Sequence, residues 1–247
     1  MALKSSRRLK EWSDEWQDAM EMTGDIERVI KLWSRPIPEH WRRARWKPEY
    51  GYRKIPKGGK DRGEQVIEKD LLAPKGEVSL RAISGYGPVG GAWFLGIYND
   101  MRLASDFRTK KAPGQVIADA FGLLVVGKKA RPICVEVKIK DKNSWYAVVE
   151  NLRQVRLLRR NEKNLRKFLK GIGALGGLRL PSAKGAWGMV LAPAEFFEHD
   201  KKTGVWGHTR DLLLALRKTE ARVCLASTAD LQAYKSIRII AGNWPSR

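Results

Sequence analysis

The stretch "ICVEVKIKDKNS", residues 133–144, sets a carboxylate and two ammonium groups inside an apolar run. Successive side chains on a strand point to opposite faces, so Val135, Val137 and Ile139 share one face while Glu136, Lys138 and Lys140 share the other. Asp119 stands seventeen residues before Glu136, in a second β-rich run, "GQVIADAFGLLVV". Between the two runs lies "GKKARP", whose glycine, lysines and proline signal a turn, so the pair is predicted to form a β-hairpin. Antiparallel pairing can bring Asp119, Glu136 and Lys138 onto one face. Two carboxylates, with a lysine beside them, offer oxygen ligation from the carboxylates alone, which suits Mg²⁺ and not zinc. Water bound to such an ion is more acidic than bulk water and can attack a phosphodiester that the ion polarises. Lys138 would then stabilise developing negative charge or orient the water. The plainer alternative is a half-exposed strand whose outer charges are only solvated.

The elements around the hairpin must position these groups. After it, Asn143 or Ser144 can cap a helix "SWYAVVENLRQVRLLRRN", in which Trp145, Val148, Val149, Leu152 and Val155 form an apolar stripe toward the sheet. Val135, Val137 and Ile139 are expected to pack beneath a helix and hold the charged face rigid. Arg153, Arg156 and Arg160 make a basic stripe on another side of the helix, prolonged by Lys163, Arg166, Lys167 and Lys170, and phosphate contact is the expected use. Further on, a strand "AWGMVLAPAEFF", a helix "TRDLLLALRKTE" and a strand "ARVCLAST" alternate as in an α/β sandwich.

Upstream, residues 5–34 have helix-compatible spacing, with Trp12, Trp16, Ala19 and Met20 recurring at three to four residues. From Arg35 to Arg62 the chain interleaves Arg and Lys with Trp41, Trp46, Tyr50 and Tyr52. This basic arm suits phosphate contacts through Arg42, Arg43 and Arg45, or equally a linker whose aromatics pack back on the body. A short helix is predicted in "RGEQVIEKDLLAP", with Glu64 and Glu68 on one face. "AWFLGIY" reads as a strand or a buried helix, and periodicity does not separate the two.

Composition narrows the function classes. The chain has 247 residues, with 48 Lys+Arg against 27 Asp+Glu and a formal charge of +21, a field that attracts polyanions. Nucleic acid is the expected partner, and no apolar run is long enough to span a membrane. The first residues carry no apolar segment of a secretory signal, so a cytoplasmic location is expected. Cys134 and Cys224 stand in apolar runs without metal-ligand neighbours and are expected to be buried, reduced thiols. His40, His199 and His208 are scattered, which argues against a zinc site.

The residues so far resemble the PD-(D/E)xK nuclease superfamily over roughly residues 60 to 230. The resemblance is carried by Asp119 in "IADAFGLL", Glu136 and Lys138 in "VEVK", and Gln154 in "VVENLRQVRLL", with Ala118 where the naming proline would stand. It implies an α/β fold with a restriction-endonuclease-like αβββαβ core, a mixed central sheet flanked by helices. The helical and basic N-terminal extension would span 1–60 and the nuclease domain 61–247. It further implies that Gln154 supports the site and that Glu68, or Glu64, adds a ligand from the first core helix. The Val137 carbonyl would also reach the ion, with Lys140 an auxiliary phosphate contact. The implied activity is Mg²⁺-dependent phosphodiester hydrolysis, Mn²⁺ substituting, with DNA favoured over RNA. A homodimer, or a subunit of a recombination, restriction or defence assembly, is permitted. The competing reading is a basic nucleic-acid-binding protein without catalysis.

Overall fold

Seven strands close into one barrel in the computed structural model, which describes residues 2–37, 79–84, 91–109, 112–140, 142–171, 176–179, 185–228 and 236–244. Its described elements are, in chain order, α1 (Ala2–Glu21), α2 (Ile26–Ser34), β1 (Ser79–Ser84), β2 (Ala92–Thr109), β3 (Ala112–Val126), β4 (Lys129–Val137), α3 (Ser144–Arg160), α4 (Glu162–Gly171), β5 (Trp187–Pro193), α5 (Ala194–Thr203), α6 (Val205–Leu216), β6 (Val223–Thr228) and β7 (Ser236–Gly242). Strands β1 to β4 pair antiparallel in sequence order, β5 joins β4 in parallel, β6 joins β5 in parallel, and β7 returns antiparallel to β6. The seam is a short parallel pairing of β1 with β7, from Ala82 opposite Ser236 to Ser84 opposite Arg238.

This closed barrel corrects the expected open, restriction-endonuclease-like sheet. Two strands that the sequence pattern did not reveal, β1 and β7, supply the seam. Strand β2, read as either strand or helix, is eighteen residues long and carries three register shifts against β3. Bulges of this kind bend a strand and increase its twist, which coils a sheet toward closure. Closure also pairs backbone groups that an open edge would leave exposed.

The predicted hairpin is β3 and β4. It turns through Gly127 and Lys128, between the paired residues Val126 and Lys129, and Gly127 takes the left-handed φ of +56° that a side chain would resist. Strand β5 is shorter than predicted. After Pro193 the "AEFF" segment leaves the sheet and opens α5.

Two apolar layers sandwich the barrel wall. Phe94, Leu124, Val135, Val137, Met189 and Ile237 fill its interior. Outside, the stripe Trp145, Val148, Val149, Leu152 and Val155 of α3 is fully buried against the wall, sharing a core with Cys134 of β4. The expectation that Val135, Val137 and Ile139 lie beneath a helix is therefore reversed: they face the inner core, and α3 covers the face bearing Cys134 and Glu136. Trp12, Trp16, Met20 and Trp33 of α1 and α2 belong to that same outer core, so these helices are packed onto the body. The Trp145 indole N–H donates to the Ala19 carbonyl at 2.9 Å and ties α1 to α3. Asp25 caps α2 by accepting from the Arg28 N–H. The basic arm with Arg42, Arg43 and Arg45, and the segment with Glu64 and Glu68, lie outside the described residues. Among the described residues no helix is long and apolar enough to cross a membrane.

Candidate active site

The β3–β4 ladder runs from Val126 opposite Lys129 to Ala120 opposite Val135. The ladder ends one step short of Asp119 and Glu136, and Asp119 lies near enough to act on the Glu136 carboxyl electrostatically. Beyond that point the Asp119 side chain takes over from the ladder: its Oδ2 accepts the Val137 N–H at 2.7 Å.

Glu136 is only 2% exposed, and each of its oxygens is engaged. Oε1 pairs with the Lys138 ammonium at 2.5 Å, while Oε2 accepts a hydrogen bond from Gln154 Nε2. Lys138 also reaches Glu150 Oε2 at 3.3 Å, and Glu150 Oε1 lies 3.8 Å from Arg153 Nη2. Asp119, Glu136, Lys138 and Gln154 thus meet between the β3–β4 wall and α3, joined by Glu150.

Helix α3 is fixed at its start and along its length. Asn143 Oδ1 caps it by accepting the Tyr146 N–H at 2.8 Å. The buried Asp200 accepts the Ser144 N–H at 2.6 Å, and the Ser144 and Thr209 hydroxyls meet at 2.9 Å. A carboxylate there also complements the positive end of the helix dipole. One turn before Gln154, Asn151 Nδ2 donates to the Cys134 carbonyl at 3.2 Å and to Gln154 Oε1 at 3.0 Å. Gln154 Nε2 donates in addition to the Ile117 carbonyl at 3.0 Å. These contacts orient the amide so that its other N–H reaches Glu136. They need a close approach of helix to sheet, which Gly188 of β5 permits: a Cβ there would stand 1.9 Å from Asn151 Oδ1.

Electrostatics at the site are dominated by burial and excess negative charge. Burial, then Asp119 and Glu150, push the Glu136 carboxyl well above the usual carboxylate range, against the lowering effect of Lys138. For Lys138 burial acts to lower the pKa, but Glu136 and Glu150 outweigh it, so the ammonium is held above its ordinary value. Burial pulls the Arg153 guanidinium down, and Glu150 opposes this.

The donor set is all oxygen, in the form hard divalent cations prefer. Among the described residues no three Asp, Glu, His or Cys side chains are gathered into a ready cage. Mg²⁺ asks for less, since it keeps several waters and is commonly held by one or two carboxylates together with substrate phosphate. Asp119 and Glu136 could supply those two carboxylates, and a cation there would offset the negative charge of Asp119 and Glu150 that helps burial to raise Glu136.

The remaining sequence candidates are dispersed. Val137 gives its N–H to Asp119, and Lys140 is exposed beyond the end of β4. Arg153 is turned to Glu150. Arg156 donates to the Arg35 carbonyl at 2.7 Å and lies over the Trp33 ring at 5.5 Å. Arg159, not singled out in the sequence, lies over the same ring at 5.3 Å and donates to the carbonyls of Ala186 and Glu220. Arg160, Lys163, Lys167 and Lys170 are exposed, whereas Arg166 pairs with Glu162 at 3.1 Å.

Sequence reasoning missed Glu150, Asn151 and Gly188. Glu150 carried a usable signal, because it precedes Gln154 by four residues and so shares its helix face. Comparison with known protein families, with characterised proteins and with solved structures finds no match, so the reading of this site stands on its own geometry.

Proposed function

We propose that the chain is a metal-dependent nuclease that hydrolyses phosphodiester bonds, with DNA favoured over RNA. The observation that supports this most is the meeting of Asp119 and Glu136 across the β3–β4 pair, with Lys138 at 2.5 Å from Glu136 and Gln154 bonded to its other oxygen. The likeness to PD-(D/E)xK nucleases lies in these four residues and does not extend to the barrel. Asp119 and Glu136 would hold Mg²⁺ or Mn²⁺. Such an ion supplies Lewis-acid activation of water and of the phosphoryl group.

The chain's own groups do the rest. The Val137 N–H fixes the Asp119 carboxylate, and Gln154 fixes Glu136, so neither must reorganise when substrate arrives. Lys138, 14% exposed at its side chain, keeps its ammonium beside the carboxylates and offers it to negative charge developing on a phosphate oxygen. The +21 charge draws the polyanion, and the exposed row Arg160, Lys163, Lys167 and Lys170 presents cations at helical spacing for its phosphates. Buried free thiols at Cys134 and Cys224 accord with work in the reducing cytoplasm.

A second reading has its own support. Glu136 is already bonded on both oxygens, as it would be in a static polar network of a protein that binds nucleic acid without cutting it. Labelled plasmid, linear DNA, single-stranded DNA and RNA, incubated with Mg²⁺, Mn²⁺ or EDTA, separate the two. Nuclease action requires cleavage that EDTA abolishes, whereas a binding module retains each substrate intact under all three conditions.

A further inference from the structure

Helix α3 grips the E-x-K pair with two side chains one turn apart. Gln154 holds the carboxylate of Glu136, and Glu150 holds the ammonium of Lys138 at 3.3 Å. We infer that Glu150 is a positioning residue for the reaction, one that shares the Lys138 ammonium with Glu136 and so keeps it turned toward substrate phosphate. The inference rests on the nuclease reading above.

An ammonium has three N–H donors and no acceptor. One is directed at Glu136 Oε1, while Glu150 Oε2, 3.3 Å away, attracts the ammonium as an ion pair without taking a hydrogen bond, so donors are left for a phosphate oxygen. Remove the Glu150 carboxylate, and Glu136, already the nearer of the two at 2.5 Å, holds the ammonium without that counter-pull. The ammonium would then be committed to Glu136, competing there with a cation and withdrawing from the phosphate. Glu150 is itself restrained, since its other oxygen is 3.8 Å from Arg153, whose side chain is only 11% exposed. The backbone beneath it is held by the Asn143 cap and by Asp200, so the carboxylate is presented from a rigid helix and not from a loop. A salt bridge whose sole purpose was to satisfy Arg153 would not need its second oxygen directed at Lys138.

A double-mutant cycle on the kinetics of cleavage distinguishes positioning from a structural role. The enzymes are wild type, Glu150→Gln, Lys138→Met and the double variant, with Glu150→Asp as a variant that retains the charge and the Arg153 partner. Glu150→Gln should lower kcat about 10- to 100-fold, the usual range for a residue supporting a catalytic group, with KM little changed. In the Lys138→Met background the same substitution should have almost no further effect on kcat. Glu150→Asp should fold with a melting temperature near wild type and lose part of kcat, which keeps the test open if Glu150→Gln folds poorly. Additive losses in the cycle, or full kcat in Glu150→Asp and Glu150→Gln, would overturn the assignment while leaving the nuclease reading intact. Absence of cleavage by wild type on every DNA and RNA substrate would remove both.

Discussion

Asp119 Oδ2 accepts the Val137 N–H at 2.7 Å, one step past the last ladder pair of β3 and β4. The aspartate therefore has a structural task beside its proposed chemical one. Asp119→Ala leaves that N–H without its acceptor and should cost about 1–3 kcal/mol of stability. Asp119→Asn keeps an oxygen in place and should unfold in urea close to wild type while losing cleavage. Equal stability of the alanine and asparagine variants would show that the Val137 hydrogen bond contributes nothing.

The raised Glu136 carboxyl makes a prediction about pH. Because its folded value stands above the unfolded one, near 4.3, the folded state holds a proton that the unfolded chain has released. That contribution to stability is fully present below the unfolded pKa and is lost as pH rises through the folded one. Glu136→Gln removes the dependence, so the variant should gain on wild type in melting temperature as pH climbs from 4 toward 8. Mg²⁺ binding only the folded protein should raise the wild-type melting temperature at pH 8 and leave Glu136→Gln unmoved. A constant difference between the two proteins across this range would contradict the assigned burial and charge effects.

Gly188 sets the distance between helix and sheet. Gly188→Ala puts a Cβ against Asn151 Oδ1, and overpacking of this kind costs about 1–3 kcal/mol. Asn151→Ala in the same chain should relieve part of that loss in chemical denaturation, without restoring the Gln154 hydrogen bond and hence without restoring cleavage. Losses that simply add would mean the alanine is accommodated elsewhere.

The basic residues divide into two groups with different expected phenotypes. Arg156→Ala and Arg159→Ala remove interactions with Trp33 and with backbone carbonyls, so they should lower the melting temperature and leave the salt dependence of DNA binding unchanged. Replacing Arg160, Lys163, Lys167 and Lys170 by alanine should do the reverse. The slope of log K against log salt on duplex DNA should shrink by up to about 0.9 for each phosphate that is no longer neutralised. An unchanged slope in the fourfold variant would move the binding surface away from the end of α3 and from α4.

What the sequence disclosed was local. The hairpin was legible because "GKKARP" and the flanking apolar runs lie together, and the stripe from Trp145 to Val155 repeats at helical spacing. Barrel closure was not, since its seam joins Ala82 to Ser236 across most of the chain, and β7 interrupts its apolar pattern with Arg238. The side of β4 on which α3 lies was also hidden. Both faces of that strand are buried in its second half, so alternation gave no sign that the helix takes the Glu136 face. Whether Arg156 meets a phosphate or an indole depends on where α2 brings Trp33, which helix periodicity within α3 does not encode.

Cleavage rate in Mg²⁺ and binding affinity without metal, measured side by side on labelled DNA for wild type, Asp119→Asn and Glu136→Gln, test the central claim most directly. Wild type should cleave until EDTA is added. Both variants should fall to background cleavage while binding as tightly as wild type or more tightly, because each removes a negative charge that faces phosphate. Full cleavage by either variant, or weakened binding that accounts for the lost rate, would contradict the assignment of these two carboxylates to a catalytic metal site.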